Sequence, residues 1–164
     1  MIAIPPSRTR DPAVTDATAS HQSTHKVEDH LRQIVKLLEK HRLVESMVDR
    51  DRASPRHNLI ESLVHRQHLV ELQLKLRSLH PADIAYILEA LPLDDRLLVW
   101  RQIEDGRGGE VLLEVSDAVR DSLIETLERP ALVRVLGQLD ADDLAELAEA
   151  VPEEILTEVL QSLN

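Results

Sequence analysis

The sequence predicts an all-α protein in which short helical hairpins stack on one another after two longer helices. Apolar residues make up 43% of the chain, aromatic residues only 1%, and just four glycines occur in 164 residues, a composition that favours helices. Apolar side chains recur at helical spacing along most of the chain. One helical module also occurs twice, which is typical of stacked helical pairs that bury their apolar faces against their neighbours.

The repeated module covers Leu79–Ile103 and Leu139–Leu163. The first copy reads LHPADIAYILEALPLDDRLLVWRQI, and the second, in which Leu139 takes the place of Leu79, reads LDADDLAELAEAVPEEILTEVLQSL. The proline between the two helices of the module falls at the same place in both copies, as Pro92 and Pro152. Because a proline cannot continue a helix, this match predicts the same helix junction in each copy.

Residues 1–25 are predicted to be a disordered leader, because Pro, Ser, Thr, Ala and Asp dominate and apolar periodicity is absent. His21 and His25 lie four residues apart, a spacing at which two imidazoles can share a metal on a helix. Nothing in this segment secures a helix, so we interpret both histidines as solvated.

Residues 26–78 are predicted to form two long helices that pair as an antiparallel hairpin. Apolar spacing indicates a first helix from Val27 to about Arg50, and a second, positively charged helix follows the break at Pro55 and runs to Ser78. His65 and His68 are three residues apart on the second helix. No third ligand converges on them in the sequence, so we interpret them as surface or capping residues.

Residues 79–164 are predicted to be a series of short helices. Pro81 suits a first helical position, and Pro92 ends that helix. The segment Asp105–Gly109 is interpreted as a flexible break, and it does not match a phosphate-binding loop because no GK[ST] follows. The remaining helices are expected at Glu110–Val115, at Asp117–Leu127, at Pro130–Leu139, after a cap at Asp140, and from Pro152 onward.

The charge of the chain is unevenly placed. Residues 79–164 hold 6 Arg and 20 Asp or Glu, a net charge of −14, whereas residues 1–78 hold 13 Lys or Arg and 10 acids, a net charge of +3. An acidic half repels nucleic acid and anionic lipid and attracts cations or basic partners. Acidic helix surfaces also simply keep a repeat protein in solution.

Several classes of protein find no support in the sequence. There is no cysteine, which excludes disulfides, thiolate metal sites and cysteine catalysis. No apolar run approaches the roughly 18 residues of a membrane span, and no signal peptide precedes Pro5. We expect this chain to be soluble. This expectation includes the case in which it is the soluble part of a larger protein. No nucleophile elbow or cofactor loop occurs, so we expect no enzyme activity.

An acidic cluster is the best candidate for a site that binds a ligand. It consists of Asp140, Asp142, Asp143 and Glu146. Asp142 and Glu146 are four residues apart and share one helix face, where two carboxylates repel unless a cation intervenes. Mg²⁺ takes such oxygen ligands and often uses only one or two carboxylates. Acids in a first helical turn also stabilise the helix by roughly 0.3–1 kcal/mol each without any metal, so spacing alone leaves both interpretations open.

Three stretches of the chain resemble the N-terminal cytosolic domain of MgtE-type magnesium transporters. They are VHRQHLVELQLKLRSLHPADIAYILEALPLDDRLLVW at Val64–Trp100, GGEVLLEVSD at Gly108–Asp117 and LDADDLAELAEAVPEE at Leu139–Glu154. The resemblance extends over about residues 60–164. It implies a right-handed superhelix of short helices over residues 79–164, followed in the intact polypeptide by CBS domains and a membrane domain.

The resemblance also implies a function and a set of ion ligands. Such transporters are homodimers of the inner membrane whose cytoplasmic N domain senses weakly bound, regulatory Mg²⁺, which neutralises acids that face the CBS domains. Residues matching the ligand phrases of the family are Glu110 in GGEVL and Asp142 and Glu146 in ADDLAE. This chain would meet the membrane only through segments that it does not contain.

One alternative function is retained. The short-helix style is also similar to the superhelical modules of flagellar-motor switch proteins. A helical-repeat adaptor of that kind would bind a basic or apolar helix and would need no ion.

Overall fold

The computed structural model describes residues 13–48 and 55–162, and all regular elements in these two ranges are α-helices. The described helices are α1 Ala13–Val48, α2 Pro55–Arg77, α3 Pro81–Ala90, α4 Leu93–Trp100, α5 Asp105–Glu114, α6 Asp117–Thr126, α7 Arg129–Leu136, α8 Ala141–Glu146 and α9 Glu153–Ser162. The all-α prediction is therefore confirmed. The right-handed superhelical course stays a prediction.

The first helix is longer than the sequence predicted. It begins at Ala13, not near Val27, so its first turns occupy part of the expected leader. No glycine or proline interrupts the chain between Ala13 and Val48, and this uninterrupted stretch lets the helix extend toward the N-terminus. Residues 1–12 lie outside the described residues, as does most of the break expected before Pro55. The predicted three-part division of the chain stays a prediction.

The short helices follow a regular step along the chain. They begin at residues 81, 93, 105, 117, 129, 141 and 153, each 12 residues after the one before. Within this series α3 packs on α5, α5 on α7 and α7 on α9. The long helix α1 packs on both α2 and α3, so the N-terminal pair joins the series at its first member.

One continuous apolar core connects the long helices with the short ones. Its fully buried side chains include Ile34, Leu38, Leu76, Ile84, Ile87, Leu88, Leu112, Leu123, Leu136 and Leu147. Each buried leucine or isoleucine side chain stabilises the fold by about 1.5–3 kcal/mol relative to an exposed one. Because α1 and α2 contribute to this core, they are integrated with the repeat.

Arginine side chains bind the carboxyl ends of three helices. Arg96 donates from Nε to the carbonyl of Leu88 at 2.8 Å and from Nη2 to that of Leu91 at 3.1 Å, at the end of α3. Arg120, which lies two helices further along the chain, donates in the same way to three carbonyls at the end of α5, at 2.7–3.2 Å. Arg107 binds the last carbonyls of α2. The last carbonyls of a helix have no donor within that helix. The guanidinium groups supply the missing hydrogen bonds and thereby stabilise the carboxyl ends of these helices.

Candidate functional site

The segment expected to be a flexible break is the beginning of a helix. Residues Asp105–Gly109 form the first turn and a half of α5, so the prediction of a break was wrong. Gly108 and Gly109 are both buried. A Cβ on Gly108 would lie 3.2 Å from Val135 Cγ1, which is tighter than ordinary contact. Here the glycines allow α5 to approach α7 closely; they do not mark a turn.

The beginning of α8 is capped as the sequence predicted. Asp140 Oδ1 accepts hydrogen bonds from the backbone N–H of Asp142 at 3.0 Å and from that of Asp143 at 2.9 Å. Two otherwise unsatisfied donors at the helix N-terminus are thereby bound. Asp140 is thus confirmed as a cap, and its carboxylate is held beside the other acids of the short helix.

The structure gathers the predicted ion-binding residues around one further acid, Asp143. Glu110 on α5 and Asp142 and Glu146 on α8 are all exposed, whereas Asp143 is half-buried. The pKa of Asp143 is raised, first by its burial and then by the negative charges of Asp140, Glu146, Asp142 and Glu110. Glu110 therefore belongs electrostatically to the same group as the α8 acids, although it lies three helices before them in the sequence. We call these five residues the acidic group.

Asp143 was assigned from the sequence to the acidic cluster, but not to the ion ligands within it. Its position carried a further signal, because it lies four residues after Leu139 and four before Leu147, both of which are buried. Residues at this spacing share one helix face. That pattern predicts a carboxylate turned partly toward the core, where its ionised form is less favoured.

The acidic group offers oxygen ligands of the kind that hard divalent cations bind. It does not enclose an ion: in the described part of the chain, no set of three or more His, Asp or Glu side chains is arranged to hold a metal. These residues fit one half of a site, in which water or a second domain supplies the remaining ligands. The repulsion that raises the pKa of Asp143 would be relieved by a cation at this surface.

The two histidine pairs singled out in the sequence are only partly covered by the described residues. His25 is exposed, and its Nδ1 lies 3.8 Å from Oε2 of Glu28. The Nδ1 atom of His68 is buried and has no hydrogen-bond partner. The side chains of His21 and His65 lie outside the described residues, so neither predicted histidine pair can be described as a pair.

None of the helices formed by the described residues combines the length and the apolarity that crossing a bilayer requires.

Comparison with known proteins identifies the family. The model of the family described as the MgtE intracellular N domain matches residues 79–164, which are just over half of the chain. No curated protein matches the sequence. The matched range begins at the last residues before α3 and includes the whole acidic group. The chain therefore belongs to the MgtE family and carries its intracellular N domain, which is a domain of a magnesium transporter and of no enzyme family.

Proposed function

We propose that residues 79–164 sense intracellular Mg²⁺ and regulate uptake by the transporter to which they belong. The observation that supports this function is the acidic group, in which burial and then the negative charges of four neighbouring carboxylates raise the pKa of a fifth acid, Asp143. Such a concentration of negative charge, without a basic side chain among its members, responds to a divalent cation because the cation removes repulsion that the protein cannot relieve by itself.

In the proposed mechanism, the acidic group faces the CBS domains of the same polypeptide. Glu110, Asp142 and Glu146 are exposed and are assigned to the ions between the two domains, whereas Asp140, which is also exposed, is engaged in capping α8. With Mg²⁺ bound, facing acids are neutralised and the domains stay together. When the Mg²⁺ concentration falls, the net charge of −14 on residues 79–164 favours separation, which permits the pore to open.

Weak binding suits this role. Mg²⁺ keeps several of its waters and is usually held by only one or two carboxylates, so its occupancy can follow the concentration in the cell. The full-length protein is proposed to be a homodimer of the inner membrane with this domain on the cytoplasmic side. Mg²⁺ is then a regulatory ligand here, distinct from the ions that pass through the pore.

The experiment that tests this function is a Mg²⁺ titration of the full-length protein, followed by limited proteolysis between the N domain and the rest of the polypeptide. We expect Mg²⁺ to protect the wild-type protein and Asp142→Asn to require a higher concentration, because one charge of the site is lost. Glu125→Gln, which removes an exposed acid of α6 outside the acidic group, is the matched control. Equal protection of wild type and Asp142→Asn at all Mg²⁺ concentrations would count against the assignment.

A further inference from the structure

A groove between the two long helices lies outside the range that the family model matches. It has a volume of about 490 Å³ and is bordered by residues 33–40 of α1, by residues 71–75 of α2 and by Ser78, which follows α2. Its apolar surface comes from Leu37, which is buried, and from Leu74, whose side chain is 59% exposed. An exposed leucine in a concave surface between helices is a feature of sites that receive another helix.

The groove is basic, although the chain as a whole is acidic. Three lysines border it, Lys36, Lys40 and Lys75, and Glu71 is the one acid among its lining residues. In the described part of the chain none of the three ammonium groups takes part in an ion pair. The groove therefore carries a net positive charge beside an apolar surface, and this combination fits an acidic amphipathic helix.

The last described helix, α9, carries acidic and apolar side chains that are complementary to the basic groove. In α9, Glu153 and Glu154 form an exposed acidic first turn. Leu160, on the same face as Glu153 at a spacing of seven residues, is 48% exposed. The opposite face of α9, with Ile155 and Val159, is buried. α9 is thus an acidic helix with apolar surface still accessible on its outer side.

The groove and α9 of one molecule lie at opposite ends of the series of packed helices. α1 packs on α3, and α5 and α7 lie between α3 and α9 in the same row. Three helix-to-helix steps of roughly 8–10 Å each separate them. Contact between the two surfaces requires a second molecule.

We propose that the basic groove between α1 and α2 binds the acidic face of α9 from a second copy of this chain. Under a two-fold axis, each groove receives the α9 helix of the other copy and both contacts close into a dimer. Direct pairing of the two grooves is disfavoured by their like charge. A bilayer fits less well, because the groove is concave and the chain has a net charge of −11, which opposes binding to anionic lipid.

Sedimentation velocity over a range of protein concentrations tests the proposal. We expect a dimer that weakens with added salt. Lys36→Glu with Lys40→Glu should raise its dissociation constant about tenfold or more, and so should Glu153→Lys with Glu154→Lys. A mixture of the two double variants should dimerise again, because each pairs its reversed surface with the other. Lys26→Glu, which changes an exposed lysine of α1 outside the groove, should have no effect.

Several outcomes would overturn the proposal. These are a wild-type chain that is monomeric throughout, a dimer that neither double variant weakens, and variants that do not restore each other. Vesicles that contain phosphatidylserine test the alternative that the groove binds a membrane. Binding of these vesicles by a monomeric wild-type chain, lost on Lys36→Glu with Lys40→Glu, would assign the groove to the membrane. Circular dichroism of every variant shows whether its helices are retained, and restoration in the mixture is independent of that measurement.

Discussion

Gly109 of α5 lies so close to Leu139 that a Cβ on the glycine would stand 2.7 Å from both Cγ and Cδ2 of the leucine. The next residues along the chain are Glu110 and Asp140, both members of the acidic group. The close approach of α5 to the turn between α7 and α8 therefore brings the acid of α5 toward those of α8. The absence of a side chain at Gly109 allows this close approach.

We predict that Gly109→Ala destabilises the protein by about 1–3 kcal/mol, because the added methyl group overpacks the contact with Leu139. Gly106→Ala is the matched control in the same helix, since no atom lies within 4 Å of a Cβ at that position. Alanine there should stabilise the helix by up to about 1 kcal/mol. Urea unfolding measures both changes. A Gly109→Ala variant as stable as Gly106→Ala would contradict the packing argument.

The arginines at the helix ends provide a second prediction. Arg120→Ala leaves three carbonyl groups at the end of α5 without their donor, so we expect a loss of about 1–3 kcal/mol in the free energy of unfolding. Lysine at this position should recover only part of the loss, because it lacks the planar fork that reaches several carbonyls at once. Arg101→Ala, at an exposed position, is the control, and thermal unfolding compares the three variants.

Glu89 gives a pH-dependent prediction. Its Oε1 accepts a hydrogen bond from the backbone N–H of Ser116 at 2.6 Å, at the start of α6. This bond is the main cause of the lowered pKa of Glu89, followed by a bond with the Ser116 side chain. A carboxyl whose pKa is lower in the folded state contributes stability above its ordinary value of 4.5, and the contribution is lost as the pH falls through the lowered pKa.

Glu89→Gln should therefore be less stable than wild type at neutral pH, and the difference should shrink below about pH 4.5. Urea unfolding at a series of pH values measures it. Glu125→Gln, which removes an exposed acid of α6, should show no comparable convergence. A difference between wild type and Glu89→Gln that stays constant down to acid pH would refute the role of the ionised carboxylate.

Asp143 leads to the opposite prediction. Its pKa is raised in the folded state, so ionisation at neutral pH destabilises the fold, and this penalty disappears only below the unfolded-state pKa. Asp143→Asn should accordingly raise the melting temperature at neutral pH in the presence of EDTA. With excess Mg²⁺ the advantage should diminish, because the cation relieves the same repulsion in wild type. A variant that is less stable than wild type in EDTA would show that the carboxylate has a stabilising role that the repulsion does not outweigh.

Local signals predicted the parts of this fold that depend on neighbouring residues. The Asp140 cap and the helix junction at Pro92 follow from the chemistry of single turns, and both are present. Gly108 and Gly109 led to a wrong prediction because glycine occurs both in flexible turns and where two helices approach closely. Only the packing of α7 against α5 shows that the second case applies here. The electrostatic proximity of Glu110 and Asp143 depends on the packing of α5 on α7, which no local spacing encodes.

The regular step of the short helices changes how the internal duplication is to be understood. The two copies of the module are displaced by an odd number of helices, so the phrase that begins α3 recurs at α8 and the phrase that begins α4 recurs at α9. α3 belongs to the row formed with α5, α7 and α9, whereas α8 does not. The two similar phrases therefore occupy non-equivalent places. Gain or loss of a pair of helices would preserve this alternation, whereas gain or loss of a single helix would move every later helix to the other row.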